Sequence, residues 1–326
     1  MHRLFNSALT VALSAFAGCA HAASAAVGDY PNRPVRLIVA QSAGGNADFV
    51  ARLIAGELGK RLVQQFVVDN RGGGGGILAA ELGVRAPADG YTLLLVGSSF
   101  GTNPSLYSKL PYDPLKDLAP ITLASNAPNI LVVNNALPVK SVKDLVALAK
   151  SKPGELNYGS SGTGGSTHLA AALFDLMAGT RMTHIPYKGA AFALTDVMAG
   201  HIQLSFASMP SVMTHVRSGR LRGIAVTSAK RSALVPDLPT IDESGLRGFE
   251  TGTWQGVFAP RATPAPLVHV LNREIAAVVH LPKVKKQYAV EGGEPIGNSP
   301  DEFARWLRAE IAKWAKVVKA ANIKVE

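Results

Sequence analysis

The chain has 326 residues, 47% hydrophobic and 17% charged, a globular balance with room for two domains and no sign of disorder. Its formal charge is +10, yet the basic residues are dispersed and only KVKK at 283–286 forms a run. That pattern argues against a nucleic-acid stripe and leaves two readings of the charge, surface solubility or attraction of an anionic ligand.

The first 22 residues open with His2 and Arg3, continue with an apolar run from Leu9 to Ala17 and close on Ala20-His21-Ala22, an A-x-A cleavage pattern. Residues 1–22 read as a secretory signal peptide to be left out of the fold. The apolar run is too short to span a bilayer, and no later uncharged apolar stretch of about 18 residues follows. The mature chain is expected to be exported and soluble. Cys19, the single cysteine, lies in this leader; FAGC resembles a lipid-attachment site, with Phe16 where leucine is usual. Once the leader is removed, disulfides, thiolate chemistry and cysteine metal sites are excluded.

Beyond the leader, short apolar strands alternate with amphipathic helices. RPVRLIVA (33–40) reads as a strand and 47–62 as a helix with Phe49, Val50, Leu53, Ile54, Leu58 and Leu62 on one face. QFVVDN (65–70) is a second strand, followed by five glycines, Gly72 to Gly76, a short helix at 77–86 and a third strand at 91–99. This β-α-β-α-β order implies a mainly parallel sheet with helices on both faces. A Pro- and Asp-rich connector (103–120) follows, and the alternation restarts. Ser141 with Asp144 opens a helix that stops at Pro153-Gly154. Further strands are read at 156–161, 182–187, 202–208 and 221–227, with helices at 166–179, 193–200 and 211–219 between them. A strand at 253–260 precedes three helices, the last opened by Ser299-Pro300-Asp301-Glu302. The expected organisation is α/β with two lobes, the second inserted into the first: 27–122 plus 255–326 as lobe I and 123–254 as lobe II. Two crossings between lobes would form a cleft, and ligands of such sheets bind beyond the carboxyl ends of strands.

Several motifs compete for chemistry. The glycine run lacks the Lys and Ser/Thr of a phosphate loop, since Ile77-Leu78-Ala79-Ala80 follows it, and it fails the G-x-G-x-x-G spacing at Ile77. It reads as a strand-to-helix turn. GSSFG (97–101) matches the nucleophile elbow of α/β-hydrolases, with Ser99 as nucleophile and Asp242 and His269 as available partners. That motif needs a helix after the serine, which Asn103-Pro104 disfavours. The histidines show no H-x-x-x-H pairing, so no metal site is expected, and His168 reads as a helix-terminal, hydrogen-bonded residue. Two loops do carry a consistent signal. AQSAGGNAD (40–48) and YGSSGTGGSTH (158–168) both join a strand to a helix, and the second adds the hydroxyls of Ser160, Ser161, Thr163, Ser166 and Thr167. Unsatisfied N–H groups and the dipole make helix N-termini anion sites, so two facing ends would hold a carboxylate without arginine.

Over nearly its whole mature length the chain resembles the Bug family of periplasmic solute-binding receptors, the extracytoplasmic components of tripartite tricarboxylate transporters. The resemblance rests on YPNRPVRLIVA, SAGGNAD, VVDNRGGGGG, ADGYTLLL, NPSLYSKLPYDPLKDLAPI, PGELNYGSSGTGGSTHLA, HIPYKGA, GRLRGIAVTSAKRS, VPDLPTIDESG and WQGVFAP. It implies a two-lobed flytrap fold, a small organic acid or amino acid as ligand, inner-membrane permease subunits as partners, a periplasmic monomer, and neither catalysis nor a cofactor. Carried over by position, the ligand residues are Gln41, Ser42, Gly44, Gly45, Asn46, Ser98, Ser160, Ser161, Thr163, Gly164, Gly165, Ser166 and Thr167, with Tyr187 and Ala207 at the rim. The family usually has Pro-Phe where Ala40-Gln41 stands, which implies a more polar ligand than an aromatic acid. It also has Pro and Ala where Gly72 and Gly74 stand. A ligand sensor that feeds a signalling receptor would use the same site, and uptake and induction measurements separate the two roles.

Overall fold

The computed structural model describes residues 29–324 apart from 188 and 291; the leader, with its signal peptide and Cys19, lies outside them. The first lobe starts with β1 (Val35–Val39), α1 (Asn46–Leu62), β2 (Phe66–Asn70), α2 (Ile77–Val84), β3 (Thr92–Gly97) and α3 (Ser99–Leu106). β1 pairs in parallel with β2 on one side and β3 on the other. Its Val35, Leu37 and Val39 enter one core with α1 residues Val50, Ile54 and Leu58, while Ile38 enters a second core on the opposite face with Phe100, Trp254 and Phe303. The period-2 side-chain alternation of a strand therefore puts helices on both faces.

β4 (Leu118–Val133) is one continuous strand of 16 residues. Residues up to Pro128 pair antiparallel with β9 (Gly252–Pro260), and those from Asn129 onward pair antiparallel with β7 (Leu204–Ser208) and, from Ile130, with β8 (Arg222–Val226). β4 thus threads both lobes. The second lobe repeats the plan of the first. β5 (Asn157–Ser160) lies between β6 (Thr183–Pro186) and β7, parallel to both. The helices α4 (Val142–Ser151), α5 (Ser166–Ala178), α6 (Ala190–Ala199) and α7 (Met209–Arg217) cover it. The expected parallel sheets hold for these outer strands. The strands next to the crossings are antiparallel, because β9 and the two halves of β4 run between lobes instead of returning through a helix.

After β9 come α8 (Ala265–Val279), α9 (Pro282–Val290), a two-residue strand β10 (Glu294–Pro295) beside β4, and α10 (Pro300–Ala320). The Ser299–Glu302 capping box at the start of α10 is formed. Phe303 and Leu307 pack in the first lobe, but Trp314, Val317, Val318 and Ile323 pack among Leu131, Phe174 and Phe206 of the second. The range 255–326 is therefore not confined to one lobe's core. Trp314 is 2% exposed and its Nε1–H donates to Glu310 at 2.6 Å. Trp314→Ala is expected to destabilise the fold by about 3–5 kcal/mol, through a cavity and an orphaned acceptor, measurable by urea unfolding.

Candidate ligand-binding site

β1 and β5 are the middle strands of equivalent parallel triplets. In each, the chain moves from the middle strand to one neighbour and later returns on the other side, which opens a crevice at their carboxyl ends. The two loops singled out in the sequence leave these strands. Between them lies a cavity of about 160 Å³, lined from the first lobe by Ala40, Gln41, Ala47, Gly97, Ser98, Ser99 and Thr102, and from the second by Gly164, Gly165, Ser166 and Leu169. Gly252, Thr253 and Gln255 of β9 and Trp314 of α10 complete it. At about 30 Å³ per water this volume holds about five waters, the scale of a small acid.

Among the described residues no charged side chain lines the cavity. Three helix N-termini converge on it instead: α1 at Ala47, α3 at Ser99 and α5 at Ser166. Each contributes roughly half a positive charge through its unsatisfied N–H groups. None of the three has a side-chain cap from its own N-cap residue, which is Gly45, Ser98 and Gly165 respectively. The α3 terminus is not legible in the sequence, because Asn103-Pro104 disfavours a helix there. The helix forms with Pro104 inside it. In two turns the proline forfeits one backbone hydrogen bond, to the carbonyl four residues earlier.

Gln41 modifies the first terminus. Its Oε1 accepts the Ala47 N–H at 2.7 Å, which leaves the Nε2 amide protons as donors on the cavity wall. Nearby Asp48 is 5% exposed; burial works to raise its pKa, but the Arg52 guanidinium and the Gly44 N–H outweigh that and hold it below the usual carboxylate range. Ser42, Gly44, Gly45 and Asn46 shape this loop and do not line the cavity. The glycine run buttresses it. Gly73 to Gly76 all have positive φ, between 54° and 99°, and a Cβ on Gly72 would sit 2.6 Å from the Ser42 nitrogen. The run is scaffold: it turns β2 into α2 and lets the 41–45 loop pack tightly.

In the second lobe most of the predicted hydroxyls build the loop itself. Ser160 Oγ accepts the Gly162 N–H at 3.2 Å and lies 2.6 Å from His184 Nε2. Thr167 Oγ1 accepts the Ser161 N–H at 3.0 Å. Ser161 and Thr163 are exposed outside the cavity. Ser166 remains on the wall, 3.3 Å from the Thr253 hydroxyl. The loop also rests on His168, which accepts the Gly164 N–H at Nδ1 (3.0 Å) and so carries its proton on Nε2. His168 stacks on His184 with centroids 3.7 Å apart, and Tyr158 stacks behind His184. Burial lowers both imidazoles to about 4, with the His184 charge adding to the effect on His168.

The rim residues need correction. Ala207 is 1% exposed in the core with Ile130 and Leu194, because side chains alternate along β7 and this one points inward. Tyr187 donates its hydroxyl to Asp196 at 2.6 Å and does not line the cavity; burial and that carboxylate push it up to about 12. Thr253, Gln255 and Trp314 were missed, since they reach the cleft from a crossing strand and a terminal helix that no local motif marks. Ser98 holds the crossing in place: its Oγ accepts the Trp254 N–H at 3.0 Å and donates to the Gly252 carbonyl at 3.3 Å. Ser99 does sit at a strand-to-helix turn, yet the cavity around it contains no His, Asp or Glu to serve as a base. Asp242 is paired with Arg247, and His269 lines a different cavity. Among the described residues no helix is long and apolar enough to cross a membrane.

Comparison with known proteins agrees with this fold. Residues 50–323 match the family model TctC, described as the tripartite tricarboxylate transporter family receptor. Protein BugT of Bordetella pertussis (strain Tohama I) is 36% identical over 307 residues, which is 94% of either chain. An R. palustris protein solved with adipate is 40% identical with a TM-score of 0.76, over 91% of this chain and 100% of that one. MatC from Rhodopseudomonas palustris, solved with bound malate, is 31% identical with a TM-score of 0.72, over 89% of this chain and 100% of that one. With the fold, the paired loops and these matches in agreement, the chain belongs to the TctC family of solute receptors, among the Bug receptors.

Proposed function

We propose that this protein is an extracytoplasmic receptor that closes two lobes on a small dicarboxylate and delivers it to a tripartite tricarboxylate-type permease. The observation that carries the reading is a small cavity, with no charged side chain among the described residues of its wall, on which three helix N-termini converge. One carboxylate meets α1 and α3, the other meets α5 and Ser166. The relatives' ligands, adipate and malate, have this two-ended chemistry. Gln41 makes the first-lobe wall polar, which favours an aliphatic acid over an aromatic one. The lobes are 27–122 plus 255–326 and 123–254, with the end of α10 bridging them, and they rotate about β4 and β9. Binding shifts the open–closed equilibrium toward the form the permease reads. Export with removal of residues 1–22 places the receptor in the periplasm as a monomer.

A thermal-shift screen tests the ligand class. Ligand at 100 times its Kd stabilises by about 2.7 kcal/mol, so adipate or malate is expected to raise Tm by several degrees while benzoate and nicotinate do not. Stabilisation by the aromatic acids alone would overturn the ligand assignment. The competing reading, a hydrolase using Ser99, has the strand-to-helix turn in its favour and lacks a base. Ser99→Ala is expected to keep ligand affinity within about threefold, the scale of about 0.7 kcal/mol, with no ester hydrolysis by either form; serine-dependent turnover would establish the enzyme.

A further inference from the structure

A second cavity, of about 530 Å³, lies at the other end of the first lobe. The ligand cleft is at the start of β9, near Gly252 and Thr253, and this cavity is at its end, beside Arg261. Eight steps along the strand at about 3.3 Å each separate them by roughly 26 Å. The walls are unlike those of the cleft. Leu115, Leu118, Val268 and Leu307 form an apolar surface, and Arg261, Arg308 and His269 stand around it with one carboxylate, Asp301. Arg261 and Arg308 are exposed, and neither is in an ion pair among the described residues.

Two further features belong to this wall. Thr263 lines this cavity and is 6% exposed, and its Oγ1 has no hydrogen-bond partner. That hydroxyl is itself shielded from the cavity, so the exposed guanidinium groups, and not Thr263, face a ligand. The N-terminus of α8, a helix of 15 residues, opens here at Ala265; Pro266 has no N–H and the Leu267 and Val268 N–H groups bond the Pro264 carbonyl, which leaves the Ala265 N–H. The α10 terminus is different, since its capping box already engages Ser299 and Glu302.

We infer that this cavity is a second binding site, for an organic anion with an apolar body: the acid group is held by Arg261 and Arg308, and the hydrocarbon lies against Leu115, Leu118, Val268 and Leu307. It is more than three times the volume of the cleft, and it offers guanidinium groups where the described lining of the cleft has no charged side chain. Its occupant is therefore larger and more amphipathic than the cleft ligand. The site stands independently of the proposed transport role.

The test is calorimetric titration of the full mature chain with octanoate, with octanol as the uncharged control. Saturable octanoate binding is expected, with octanol weaker by at least tenfold. The exposed pair Arg261→Gln and Arg308→Gln is expected to weaken octanoate tenfold or more without altering Tm or adipate binding. Octanoate should still bind when adipate is present at saturation. The inference fails if octanoate does not saturate, if the arginine variants bind it unchanged, or if adipate displaces it.

Discussion

Gln41→Glu is expected to weaken dicarboxylate binding about a hundredfold while leaving the fold as stable as before or slightly more so. The side-chain oxygen of Gln41 already accepts the Ala47 N–H at the start of α1. A carboxylate there keeps that bond and satisfies the helix dipole, which stabilises by about 0.3–1 kcal/mol. It also fills the positive potential that the ligand would use and faces it with like charge. At roughly 5 Å and an effective dielectric of about 20 the repulsion is about 3 kcal/mol, or about a hundredfold in affinity. Calorimetry with adipate and a urea melt of the same variant read both halves of the prediction. An affinity within a few-fold of wild type would remove Gln41 and the α1 terminus from the site.

Acid is expected to loosen the protein through the histidine stack beneath the second-lobe loop. His168 and His184 stay neutral in the fold until about pH 4, whereas an unfolded chain protonates histidine near 6.5. Between those values the unfolded state binds more protons, so stability rises with pH through that window and is flat above it. For His168, 6% exposed, the loss on reaching the lower end is up to about 3 kcal/mol. His184 is more open to solvent and contributes less. Asp175, whose pKa burial raises, opposes part of this effect. Urea midpoints at pH 7.0, 5.5 and 4.5 should fall steadily in the wild type and less in His168→Gln with His184→Gln. A midpoint unchanged from 7.0 to 4.5 would contradict the neutral stack. Protonation of Nδ1 also removes the acceptor of the Gly164 N–H, so ligand affinity is expected to fall with stability.

The parts of this site that were legible in the sequence are those governed by local rules. A strand ending in a glycine-containing loop and opening a helix is visible at 40–48 and at 158–168, and both loops do reach the cavity through Gln41 and through Gly164, Gly165 and Ser166. What failed was of two kinds. Local rules were overruled by packing at α3, where Phe100 stacks on Tyr112 and tilts against Phe258 and so holds a helix that Pro104 argues against. Long-range placement was invisible at Thr253, Gln255 and Trp314, which arrive by β9 and α10. The hydroxyls of the second loop were legible as polar, but not as already spent. Ser160 and Thr167 satisfy the loop's own N–H groups, and only the three-dimensional pairing distinguishes such a group from one free for ligand. The start of β4 was hidden for a related reason, since residues up to Pro120 read as part of a Pro- and Asp-rich connector, whereas β4 begins at Leu118. The β4–β9 register shifts just after Pro120, and Pro128 is the last residue paired with β9.

The central claim is that helix N-termini from both lobes hold a dicarboxylate without a charged side chain. A crystal structure of the mature chain grown with adipate tests it most directly. One carboxylate should lie within hydrogen-bond distance of the backbone N–H groups opening α1 or α3 and the Gln41 amide, and the other should meet the N–H groups opening α5 and the Ser166 hydroxyl. Adipate held by an arginine or lysine side chain, or located outside the cleft between the lobes, would contradict it.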